Sequence, residues 1–149
     1  MVFLRIKAAK MIWRTPINLD ELNNAPEYMG TFLGIKFTEW DENSLTATMP
    51  VNRKTHQPQG ILHGGASVVL AETIGSYASA LIIDREKYAA VGLEVNANHL
   101  RPVSDGEIKG ICEPIHIGRR THVWNIKIVN KDDKLVCISR LTVAIIDHP

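Results

Sequence analysis

With 149 residues, and 17 basic against 16 acidic side chains for a net charge of +1, the chain lacks the electrostatic footprint of a nucleic-acid binder. Its length predicts one domain that buries about two thirds of its unfolded surface, and no basic run, low-complexity tract or internal repeat points elsewhere. Two cysteines, Cys112 and Cys137, make neither a disulfide framework nor a metal-ligand spacing, so a reduced, cytoplasmic setting is the simplest expectation.

The opening, MVFLRIKAAK, has too short an apolar run for a signal peptide. Met11 offers a second start, so residues 1–10 are expected to be an extension of a single domain over 11–149. Around Asn18 the pattern INLDELNNA combines an N-cap, acidic first-turn residues, and Leu19 and Leu22 at helical spacing, which predicts a short helix. From Phe32 to Val51 the period becomes two: Leu45, Ala47, Met49 and Val51 share one face, Thr46 and Thr48 the other. With Asp41, Glu42 and Asn43 as its turn, this predicts a hairpin. Residues 52–62, NRKTHQPQGIL, read as a loop.

The next run, His63 to Ile83, contains one ionisable side chain after His63, which is Glu72, and no proline. A helix of this composition is apolar nearly all round, and such helices are buried in a protein core or a membrane. Glu72 near its middle, the small polar residues Ser67, Thr73, Ser76 and Ser79, and the lack of a second such segment favour a core helix without a membrane partner. Glu72 is then expected to be a buried carboxylate with a raised pKa, retained because something pairs with it or because it does chemistry.

Beyond the helix, strands are predicted at about 89–103, 107–117, 121–130 and 134–146, with Trp124, Ile126 and Ile128 alternating with Asn125 and Lys127. Ser104, Asp105 and Gly106, then Gly118, then Lys131, Asp132 and Asp133 mark short turns, which favour antiparallel pairing. The fold class is α+β, one sheet around one long helix. A single sheet covers only part of such a helix, so a second copy is expected to cover the rest.

The segment QPQGILHGGASVVLAETIGS from Gln57 to Ser76, together with VGLEVNANHLRP and SRLTVAII, closely resembles the hotdog-fold acyl-CoA thioesterases. It is most similar to the 1,4-dihydroxy-2-naphthoyl-CoA hydrolases of menaquinone synthesis, whose relatives include glutamate-dependent 4-hydroxybenzoyl-CoA thioesterases. The resemblance covers Met11 to Ile146. It implies a hotdog fold and hydrolysis of acyl-CoA thioesters, with aromatic or otherwise bulky acyl groups foremost; separately, the six histidines lack HxxxH or HxH spacing and there is no phosphate loop or dinucleotide fingerprint, so no metal or cofactor is expected. The resemblance also implies a homodimer or homotetramer whose active sites lie at the subunit interface, the glutamate from one chain and a glycine amide from its partner.

Thioester hydrolysis needs a nucleophile or general base at the carbonyl carbon and donors aimed at the oxygen. Free N–H groups at a helix start suit the second task, which makes Gly64 the candidate oxyanion donor, with Gly65 allowing close approach of the acyl group. Glu72 is the candidate nucleophile or general base, and nothing in the sequence separates these roles. Gly64 and Glu72 lie about 12 Å apart along one helix axis, with the free N–H pointing away from Glu72, so two chains are expected to share a site. By resemblance, Gln57 and His63 orient the thioester, Thr73 and Ser76 line the pocket, and His99 and Arg101 lie toward the CoA nucleotide, where Arg119 and Arg120 add charge. Each has an ordinary structural use as well: His63 can cap the helix, Gln57 can be a solvated loop residue, and Ser76 can bond back to the backbone. Tyr77, beside Ile74 and Leu81, reads as core or as pocket lining.

GGASVV lacks the final glycine of a nucleophile elbow, which removes Ser67 as a hydrolase nucleophile. Thioesters of acyl carrier protein are an alternative substrate with the same motif. A non-catalytic acyl-CoA module would have no need of Glu72.

Overall fold

The computed structural model describes residues 10–148; of the expected extension over residues 1–10, all but Lys10 lies outside the described residues. Asn18 caps helix α1 (Leu19–Asn23), its side chain accepting from the amides of Asp20 and Glu21. A short helix α2 (Met29–Phe32) follows where the hairpin was expected to begin. The Thr31 hydroxyl accepts from the Tyr28 amide at 2.9 Å and closes this turn, and Gly34, at φ 82°, redirects the chain into the sheet.

The hairpin itself comprises β1 (Lys36–Trp40) and β2 (Leu45–Pro50). Asp41 Oδ1 fixes its turn by accepting from the amides of Asn43 and Ser44 at 2.8 and 2.7 Å. The long helix α3 (Gly64–Ile82) begins after His63 as its N-cap. The remaining strands are β3 (Tyr88–His99), β4 (Glu107–Ile117), β5 (Thr121–Asn130) and β6 (Leu135–Asp147). β3 ends earlier than the predicted 103, because the Leu100 and Arg101 amides both turn onto the Val136 carbonyl, at 2.8 and 3.3 Å.

The sheet order is β1-β2-β4-β5-β6-β3, antiparallel throughout. The excursion through α3 lets β4 take the place beside β2 and carries β3 to the far edge, where β6 is its neighbour. The other edge of β3 is open over its 12 residues, with Leu93 64% exposed.

α3 packs Leu70, Ala71, Ile74 and Ala78, all fully buried, against one face of the sheet, where Trp124, Ile126, Ile128 and Leu141 meet them. Small residues make the approach close: a Cβ on Gly75 would lie 2.5 Å from Leu141 Cδ2, and one on Gly110 2.6 Å from Ile74 Cδ1. The opposite side of α3 is not covered. Val68, Val69, Thr73, Ser76 and Tyr77 are half-buried and Glu72 is exposed, so the expected burial of Glu72 in a dry interior is not met within one chain. The physical reason is that one flat layer shields one side of a cylinder.

Candidate active site

The helix start is built by a tightly bonded loop. The buried Thr55 hydroxyl accepts from the Asn52 amide and donates to the Pro50 carbonyl, both at 3.0 Å, while the Thr55 carbonyl accepts from the His63 amide at 2.8 Å. The Gln57 amide donates to the Ile61 carbonyl at 2.8 Å, and the Leu62 amide to the Val103 carbonyl at 2.7 Å. His63 Nδ1 accepts from the Gly65 amide at 2.8 Å, so this side chain is engaged as a cap. The Gly64 N–H has no acceptor among the described residues. It is an open donor at the positive end of a 19-residue helix.

Gln57, Gly64, Ser67, His99 and Arg101 line one cleft of about 360 Å³ at this end. The His99 ring lies directly on Gly64: a Cβ there would fall 2.6 Å from His99 Nε2. Gln57 Oε1 accepts from the Gln59 amide at 2.5 Å, which folds the side chain into its own loop.

Two turns further along α3 lies a second cleft of about 300 Å³, lined by Tyr28, Met29, Val69, Glu72, Thr73, Ser76 and Tyr77. The Glu72 carboxylate sits over β3 at Gly92, where a Cβ would come within 2.7 Å of Oε1. It makes no hydrogen bond or ion pair among the described residues. Tyr77 is held between Phe37 and Tyr28, with ring centroids 4.8 and 6.3 Å away. Burial, reinforced by Tyr77, holds the Tyr28 phenol well above its ordinary pKa, so it is a neutral hydrogen-bonding group.

Thus Gln57, Gly64, His99 and Arg101 come together at the start of α3, and Glu72, Thr73 and Ser76 near its middle. Arg119 and Arg120 join neither group. Arg120 pairs with Asp147 at 2.9 Å and lies 5.9 Å from the Tyr88 ring centroid, at the opposite end of β3 from His99. A strand of this length spans about 36 Å. Tyr28 and Met29 were missed because their short helix shows no periodicity. Gly92 carried a usable signal, since glycine within a strand marks close approach by another group.

The family model of the thioesterase superfamily matches residues 59–137. The chain is 50% identical over 137 residues to the 1,4-dihydroxy-2-naphthoyl-CoA hydrolase of Escherichia coli, covering 91% of this chain and 100% of that protein. It is 44% identical over 137 residues to the proofreading thioesterase EntH of Cronobacter sakazakii, covering 91% of this chain and 99% of the relative. Among solved structures, a mutant thioesterase from Pseudomonas aeruginosa matches with a TM-score of 0.88 at 50% identity, covering 92% of this chain and 99% of that one. A thioesterase from Haemophilus influenzae matches with a TM-score of 0.88 at 45% identity, covering 92% and 96%.

Proposed function

The chain belongs to the thioesterase superfamily and has its hotdog fold, and from that premise we propose that Glu72 and Gly64 act on one thioester carbonyl from two copies of the chain. The protein is a thioester hydrolase for acyl-CoA-type substrates. One observation carries the shared-site reading: the unengaged Gly64 N–H and the unengaged Glu72 carboxylate lie in different clefts of the same chain. Antiparallel pairing of two β3 edges supplies the missing half. Gly92 beneath Glu72 and His99 against Gly64 are about 23 Å apart along β3, and reversing the strand in a partner brings each end toward the other.

In this site the Gly64 N–H donates a hydrogen bond to the carbonyl oxygen as negative charge develops there. Glu72 either attacks the carbonyl carbon, releasing the CoA thiolate and leaving a mixed anhydride for water to cleave, or takes a proton from the attacking water. His63 acts through its cap, fixing the first turn of α3, while Gln57 contributes its amide from the loop. Gly65 leaves room for the acyl group, and Thr73 and Ser76 line its pocket. Arg101 draws the nucleotide end of CoA, joined across the pair of chains by Arg119 and Arg120, whereas His99, expected at that end, lies on Gly64 and so borders the thioester itself. The aromatic walls supplied by Tyr28 and Tyr77 favour an aromatic acyl group, as does 50% identity to a naphthoyl-CoA hydrolase. The resemblance ties such a reaction to menaquinone synthesis.

The test is steady-state hydrolysis of 1,4-dihydroxy-2-naphthoyl-CoA, benzoyl-CoA, medium-chain acyl-CoAs and an acyl carrier protein thioester by wild type and Glu72→Gln. We expect aromatic acyl-CoAs to rank first and the variant to lose about a thousandfold in kcat, with its oligomer and CoA binding intact. Undiminished turnover by Glu72→Gln would remove the carboxylate from the mechanism.

A further inference from the structure

Among the described residues, Ser67 Oγ is the one buried side-chain polar atom without a hydrogen-bond partner. Few native groups are left in that condition, and each calls for an explanation. Ser67 is 1% exposed, on the first turn of α3, three residues after Gly64 and therefore on the same helix face. A helical serine ordinarily returns its hydroxyl to the carbonyl one turn back. Here that carbonyl, of His63, already accepts from the amides of Ala66 and Ser67, at 2.9 and 3.4 Å. The side chain lines the cleft that Gln57, Gly64, His99 and Arg101 share.

The inference rests on the acyl-CoA reading above. With phosphates drawn toward Arg101 and the carbonyl oxygen at the Gly64 N–H, the pantetheine arm runs through this cleft. Its first amide follows the sulfur after two methylene groups. Ser67 is set back from Gly64 by about 4.5 Å along the axis, too far to share the carbonyl oxygen and well placed for the next polar group of the arm. We propose that the Ser67 hydroxyl donates a hydrogen bond to the carbonyl of the pantetheine amide nearest the thioester. That bond is made alike in the ground state and the transition state, so its loss belongs in KM and leaves kcat unchanged.

The test compares wild type and Ser67→Ala on three thioesters of benzoic acid: benzoyl-CoA, the N-acetylcysteamine ester, which keeps this amide, and the ethanethiol ester, which lacks it. We expect KM to rise about fivefold for the first two, the effect of one neutral hydrogen bond, and to stay unchanged for the third. Tm should equal or exceed that of wild type, because the deleted hydroxyl has no partner in the unliganded fold. Equal KM shifts on all three esters, or none on the N-acetylcysteamine ester, would overturn the assignment. Wild-type protein inert toward all three would remove the acyl-CoA reading and Ser67 with it, a failure visible before any variant is compared.

Discussion

Glu72 and Gly92 meet in the gap between α3 and β3, and the missing side chain at Gly92 gives the carboxylate its place. A methyl group there would stand 2.7 Å from Glu72 Oε1, so Gly92→Ala should displace the acid while its flexible end yields. We expect kcat/KM to fall roughly ten- to a hundredfold with Tm little changed, as steady-state kinetics and thermal melts on the same preparation would register. A second residue-scale prediction concerns the core. Trp124 Nε1 donates to Ser79 Oγ at 2.8 Å, so the serine's own proton serves His122 Nδ1, 3.0 Å away. Burial, with His116 adding to it, lowers the His122 pKa. The unfolded chain therefore takes up this proton first. Stability is full above the unfolded value of about 6.5 and is lost as pH falls through the lower folded value. Urea midpoints for wild type should decline across that window, and those of His122→Gln should be flatter.

At the scale of elements, α2 and α3 enclose the cleft beside Glu72, and Tyr77 fills its base between Phe37 and Tyr28. Tyr77→Ala should cost about 2 kcal/mol in stability and shift preference toward larger acyl groups. The ratio of kcat/KM for naphthoyl-CoA to that for benzoyl-CoA measures the shift. The elements visible in the sequence were those with a sustained period: the alternation of Leu45, Ala47 and Met49, that of Trp124, Ile126 and Ile128, and the apolar run of α3. The four residues of α2 are too few to show one. Trp13 is equally silent in its irregular segment, yet it is 3% exposed, stacks on Trp124 at 6.5 Å and donates to the Asp41 carbonyl at 2.6 Å. The place of β3 beside β6 is a tertiary choice that local pattern does not encode.

For the whole molecule, motif spacing made Gly64 and Glu72 legible as a pair too distant for one chain. It could not place His99, distant in sequence, on Gly64, nor show Glu72 exposed, because both depend on how the sheet lies across α3. The shared-site proposal predicts complementation. Glu72→Gln and Gln57→Ala chains, each inactive alone, should regain about a quarter of wild-type activity when dissociated, mixed and reassociated, since half the dimers are mixed and each holds one intact site. No recovery would place both halves within one chain. Leu93→Arg on the open β3 edge should shift sedimentation toward monomer and remove activity in parallel. Under the shared-site proposal, the length of α3 between its two clefts also sets a kinetic order. A catalyst whose halves ride on separate copies must find itself before it finds substrate, so below its own dissociation constant the rate grows with the square of protein concentration, and dilution alone switches it off.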